Sequence, residues 1–136
     1  MREVEASRFV RATLPELERA VSPSDVIEHE GTFTVAEVTE TDDGQRVTAR
    51  AGGMEVTFVV EERDDGYYYA QLGDQGPFES METTVTFARR NEGTDVTMRS
   101  TVSLGLPLST LTDRIAAWKR RGELQRALDN VAAAVE

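Results

Sequence analysis

The sequence predicts an α+β fold: an antiparallel sheet of about seven strands, curved around a long C-terminal helix in the order β-α-α-β6-α, as one domain spanning residues 1–136. Three observations carry that expectation. Apolar and polar residues alternate with period two through the middle of the chain. Short acidic, Gly-containing turns punctuate the alternation. A helical pattern then runs to the C-terminus.

The first strand is expected over about Arg2 to Ala12, with Val4, Ala6, Val10 and Ala12 on one face. Thr13 and Glu16 have the spacing of a capping box, and Pro15 fits the first turn of the helix they open. Leu14, Leu17, Ala20 and Val21 form its apolar side. Ser22-Pro23 breaks this helix, and Ser24 is expected to cap one further turn, Asp25 to Glu28.

Strands are expected near 32–41, 45–51, 54–63, 67–73, 78–90 and 93–104. Asp42-Asp43-Gly44, Asp64-Asp65-Gly66 and Asn91-Glu92-Gly93 each place Gly where a hairpin needs positive φ. Gly52-Gly53 makes a fourth tight turn, and Gly73-Asp74-Gln75-Gly76-Pro77 a longer connection. Consecutive hairpins imply a meander. Met54, Val56, Phe58 and Val60 share one face, as do Met81, Thr83, Val85 and Phe87, and then Val96, Met98, Ser100, Val102 and Leu104. The opposite face is rich in Thr and Glu and reads as wet. Phe33 and Val35 face one way while Ala36 and Val38 face the other; a bulge near Ala36, or burial on both sides, accounts for this.

After Gly105-Leu106-Pro107 the helix would span roughly 40 Å if continuous. Its apolar stripes are out of phase: Leu108, Leu111, Ile115 and Trp118 form one, and Leu124, Leu128, Val131 and Val135 another. A kink or break near Gly122 is the expected reconciliation; a sheet that covers two sides of the helix is the other. The positive charge of the Arg114–Arg126 segment is expected on the solvent side.

Acidic residues outnumber basic ones by 25 to 15, for a net charge of −10, and Lys119 is the only lysine. An acidic, Lys-poor, Thr-rich composition resembles that of proteins from extreme halophiles such as haloarchaea, where carboxylates retain hydration as salt screens other interactions. An ordinary acidic protein from an Arg-rich genome has similar totals. No basic stripe is present to release phosphate counterions, which disfavours nucleic acid; Lys119-Arg120-Arg121 reads as a solvated helix face. There is no cysteine and no apolar run of membrane length, so no disulfide framework or membrane span is expected, and the cytoplasm is the expected compartment.

Phe9-Val10-Arg11-Ala12-Thr13-Leu14-Pro15-Glu16-Leu17, Gly76-Pro77-Phe78-Glu79-Ser80-Met81, Gly93-Thr94-Asp95-Val96-Thr97 and Arg121-Gly122-Glu123-Leu124-Gln125-Arg126-Ala127-Leu128 together resemble the SRPBCC superfamily. This superfamily is also described as START-like or birch-pollen-allergen-like, and within it the chain is most similar to small polyketide cyclase/dehydrase-type proteins. The resemblance implies the helix-grip fold, with a cavity between sheet and terminal helix. It carries over no universal catalytic residue, because members include carriers, cyclases, dioxygenase domains and chaperone activators.

Candidate chemistry is sparse. His29, the only histidine, lies between Glu28 and Glu30 and reads as surface-exposed. The Asp pairs at 42–43 and 64–65 are explained by their turns, and neither a metal site nor a cofactor is expected. Arg8, on an apolar parity, is expected to snorkel to water, the alternative being a cation offered to a carboxylate ligand. Tyr68 and Glu79 are the candidate acid/base groups: Tyr68 if it points inward with Ala70 and Leu72, Glu79 at the edge of the concave side.

The expected function is binding of a small apolar or amphipathic molecule. On the sheet, Met54, Val56, Phe58, Met81, Val85, Met98 and Val102 would line the cavity, with Tyr68 as polar handle. On the helix, Leu111, Ile115 and Trp118 would roof it. A cyclase or dehydratase and a protein-interaction module are the alternatives. The oligomeric state is open between monomer and homodimer.

Overall fold

A computed structural model describes residues 2–42, 44–73, 78–103 and 109–136, with side chains in the last segment described from 114 onward. Its elements are β1 (Arg2–Val10), α1 (Leu14–Ala20), α2 (Pro23–His29), β2 (Thr34–Thr41), β3 (Gly44–Ala51), β4 (Met54–Arg63), β5 (Gly66–Gln71), β6 (Ser80–Arg90), β7 (Gly93–Ser103) and α3 (Ser109–Val135). The strands form one antiparallel sheet in the order β1-β7-β6-β5-β4-β3-β2. Its one non-sequential pairing brings β1 to β7, and α3 crosses both of these strands while α2 packs on α3. This is the helix-grip arrangement expected from the sequence.

Caps punctuate the helices. The Thr13 hydroxyl accepts from the Glu16 N–H at 3.4 Å and opens α1. The complete capping box belongs to α2, and its cap is Ser22 rather than the expected Ser24. Ser22 Oγ accepts from Asp25 N–H at 3.3 Å, and the Asp25 carboxylate accepts from Ser22 N–H at 2.9 Å. Pro23 occupies the first turn, where its missing N–H is no loss.

The bulge in β2 lies between Val35 and Glu37, leaving Ala36 unpaired. Val38 and Ala36 are exposed, so the bulge, not burial on both sides, explains the broken alternation. In the β6–β7 turn the positive φ falls on Asn91 (55°) rather than on Gly93. Gly93 is needed for another reason: a Cβ there would lie 2.5 Å from both Phe9 Cζ and the Val10 carbonyl oxygen. The Gly76-Pro77 connection and the Gly105-Leu106-Pro107 segment lie outside the described residues.

α3 runs as one helix through Gly122. Its buried face is Ala116, Ala117, Arg120, Glu123, Leu124, Ala127, Leu128, Val131 and Ala132. Following the large apolar residues alone gives the wrong phase before Gly122. Projected back from Leu124 in steps of three and four, the inner face passes through Arg120 and the two alanines, and the stripes need no reconciliation.

Candidate functional site

A cavity of about 480 Å³ lies between α1, α2, the inner face of the sheet and the last third of α3. Such a volume falls in the usual range for small-molecule sites. The helices and the residues that flank them contribute Leu14, Leu17, Val21, Val26, Leu128 and Val131, and the sheet contributes Tyr67, Val85, Phe87, Val96 and Met98. The Tyr67 and Phe87 rings meet at a tilt, 5.9 Å between centroids. Glu18, Glu62, Asp64 and Asp65, all exposed, also border it.

Two polar groups of this lining are buried without a hydrogen-bond partner among the described residues: the Tyr67 hydroxyl and Gln45 Oε1. Gln45 Nε2 donates to the Glu40 carboxylate at 2.9 Å, which orients the amide with its oxygen free. Burial first, and then the charge of Asp25, raise the Tyr67 pKa, so the phenol keeps its proton.

Further along the same inner face lies a fully buried polar network. Arg120 Nη1 donates to Glu30 Oε1 and, at 3.1 Å, to Glu123 Oε1. Its Nη2 donates to Glu30 Oε2 at 3.1 Å and to Thr83 Oγ1 at 2.7 Å. Its Nε donates to Ser100 Oγ at 3.0 Å. The Tyr69 hydroxyl donates to Glu30 Oε2, and Thr32 donates to Glu123 Oε2. Arg126 Nε adds a bond to the Glu30 carbonyl at 3.0 Å. One guanidinium here faces two carboxylates. Burial dominates at Glu30 and, with repulsion from Glu123, outweighs Arg120 and raises its pKa. Burial opposes the charge on Arg120, but Glu30, Tyr69 and Glu123 outweigh it and hold the guanidinium above its ordinary value. With Arg120, Glu30 and Glu123 sealed from solvent, the network ties α3 and the α2–β2 connection to the sheet.

The expected site residues separate into groups. Val85 and Met98 line the cavity. Val56, Phe58, Met81 and Val102 are buried on the same face but outside the cavity lining. Met54 is 42 % exposed at the start of β4, and Ile115 and Trp118 are 58 % and 76 % exposed on the outside of α3. None of these three can roof or line a cavity, because the helix phase and the strand end turn them to solvent. The side chain of Leu111 lies outside the described residues. Glu79 is exposed.

Tyr68 is turned to the outer face. Its hydroxyl donates to Glu82 at 2.8 Å, its ring sits 4.5 Å beneath the Arg63 guanidinium, and burial and the bond to Glu82 push its pKa up to about 12. The inward tyrosines are Tyr67 and Tyr69. A signal for this exists in the sequence: pairing Arg63 with Gly66 across Asp64-Asp65 sets Tyr69 opposite Val60 and Tyr68 opposite Glu61. Thr83 and Ser100 stand visibly within apolar stripes, and Arg120 lies on the back-projected helix face. Glu30 carries no comparable signal. Arg120 is the one exception to the expectation that the positive charge of this helix segment is solvated: Arg114, Lys119, Arg121 and Arg126 are exposed. Arg8 reaches from β1 to Asp129 of α3 at 2.5 Å while remaining partly exposed. His29 is half-buried, and its carbonyl accepts from Asn130 at 2.9 Å. Among the described residues no three His, Cys, Asp or Glu side chains gather as metal ligands, and no helix is long and apolar enough to cross a membrane.

Among solved structures, TTHA0849 from Thermus thermophilus is similar over 99% of this chain and 100% of its own, with 22% identity and a TM-score of 0.64. A START superfamily protein from Mycobacterium smegmatis is similar over 98% and 99%, with 15% identity and a TM-score of 0.68. The di-domain ARO/CYC StfQ from the steffimycin biosynthetic pathway is matched over 50% of its length by 98% of this chain, with 16% identity and a TM-score of 0.65. At these identities the likeness is one of fold. No curated protein matches the sequence. The family described as "Polyketide cyclase / dehydrase and lipid transport" matches residues 1–136, the length of the chain, and the protein belongs to that family.

Proposed function

We propose that the protein binds a small apolar or amphipathic molecule in the cavity between α1, α2, the sheet and α3. The observation that carries this reading is the cavity itself: about 480 Å³, walled mainly by aliphatic and aromatic side chains, with two buried polar atoms left without partners among the described residues. Apolar burial supplies affinity, and the few polar groups orient the ligand. Family membership supports the reading. The placement of Tyr68 and Glu79 outside the cavity lining gives the cyclase alternative no support from those residues. A partly open cavity of this volume, bounded by helices on one side and sheet on the other, is better matched to a small molecule than to a partner's helix.

The test is mass spectrometry of an organic-solvent extract of the protein purified from its own cells. A stoichiometric small molecule is expected; an empty extract, with no small amphiphile binding to the purified protein, overturns the reading. The net charge of −10 and the single lysine support residence in the cytoplasm of a halophile. A Tm that rises steeply with KCl into the molar range is expected, and a flat response refutes that part.

A further inference from the structure

The proposed cavity also carries information about the polar end of its ligand, an inference that rests on the binding reading above. Its two unpartnered atoms are unlike in what they can do. Gln45 Oε1 only accepts, and its orientation is held by the bond from Gln45 Nε2 to Glu40. The Tyr67 hydroxyl, on a residue only 7 % exposed, can donate or accept. Both belong to strands that flank β4, and Glu62 of β4 pairs directly with Tyr67, so its carboxylate shares their face of the sheet.

All but one of the charged residues in the described lining are acidic. Glu18 comes from α1, Asp25 of α2 acts on Tyr67, and Asp64 and Asp65 come from the β4–β5 turn. The only basic residue of the described lining is Arg63, and its guanidinium is turned to the opposite face, over the Tyr68 ring and 3.5 Å from Glu61. A ligand carboxylate or phosphate could take one hydrogen bond from the Tyr67 O–H, but would otherwise meet an amide oxygen and a group of carboxylates, with no cation of the described lining turned to receive it. A ligand ammonium or hydroxyl would find an acceptor at Gln45, a second partner at Tyr67 and, for the ammonium, a favourable field.

We infer that the cavity takes an amphipathic molecule whose polar end donates hydrogen bonds and carries no negative charge, an organic amine being the best match. The polar end sits against Gln45, Glu62 and Tyr67, and the apolar body extends between Val85, Met98 and Leu128.

Three probes of equal chain length test this: decylamine, decanol and decanoic acid, each titrated against the purified protein by calorimetry at fixed pH 7 and fixed salt. The expected order is amine, then alcohol, then acid, with the acid at least tenfold weaker than the amine. Tyr67→Phe keeps the ring and the packing, and should weaken amine and alcohol roughly three- to tenfold, the range for one hydrogen bond. Glu62→Gln should narrow the gap between amine and alcohol. If the acid binds as tightly as the amine, or if Tyr67→Phe leaves both donors unaffected, the assignment of the polar end is overturned while small-molecule binding stands. If none of the three binds and the cellular extract is empty, the binding reading fails with it.

Discussion

Replacing Arg120 by Met removes the cation from a site that holds two carboxylates, and the consequence can be worked from the geometry. Arg120, Glu30 and Glu123 are each fully buried. The substitution leaves Glu30 with the Tyr69 hydroxyl as a side-chain donor and Glu123 with Thr32. Breaking a buried pair by deleting one partner costs about 3–5 kcal/mol, because the remaining charge is stranded in low dielectric. For a chain of this length each kcal/mol corresponds to roughly 3–4 °C. Arg120→Met should therefore lower Tm by about 10–20 °C at pH 7 and constant salt, measured by thermal and urea denaturation.

The pH dependence supplies the sign. Burial raises the Glu30 pKa above its ordinary 4.5, and Arg120 opposes that rise. Between 4.5 and the raised folded value the native state binds more protons than the unfolded chain, so stability falls as pH rises through that window. Without Arg120 the folded value climbs further and the window widens upward. The Arg120→Met defect should be largest near neutral pH and shrink toward pH 4.5, and adding Glu30→Gln and Glu123→Gln should recover more than half of it. A variant within about 1 kcal/mol of the parent at pH 7 would refute the argument, since the stranded carboxylates would then have found solvent. So would a defect that does not shrink on acidification.

Three smaller perturbations test other parts of the structure. Trp118→Ser should leave stability within about 0.5 kcal/mol, because the indole is 76 % exposed; a loss above about 2 kcal/mol by urea denaturation would return Trp118 to the buried face. Ser22→Ala removes the hydroxyl that caps α2 and should cost about 1 kcal/mol by the same measurement, whereas Ser24→Ala should cost less. Gly93→Ala forces a methyl against Phe9 Cζ and the Val10 carbonyl, both 2.5 Å from the Cβ position, and should cost about 1–3 kcal/mol; neutrality would mean that β1 and the β6–β7 turn are not so closely apposed.

Local chemistry was sufficient for the element order, the meander, the antiparallel pairing and the inner faces of β4, β6 and β7. Alternation and turn residues are properties of neighbouring positions, and the sheet has no choice but to follow them. Long-range packing chose what the long helix and the tyrosine run turn inward. Ile115 and Trp118 belong to the more apolar stripe on paper, yet both are exposed. The chain instead buries Arg120 and Glu123, because Glu30, Tyr69, Thr83 and Ser100 surround the guanidinium and Thr32 meets Glu123 from other elements. Hydrophobicity read one segment at a time assigns such charges to water; only partners brought from 90 and 37 residues away make their burial possible. The same holds for Gln45 and Tyr67, on different strands, which border one cavity only because β3, β4 and β5 pair in this register.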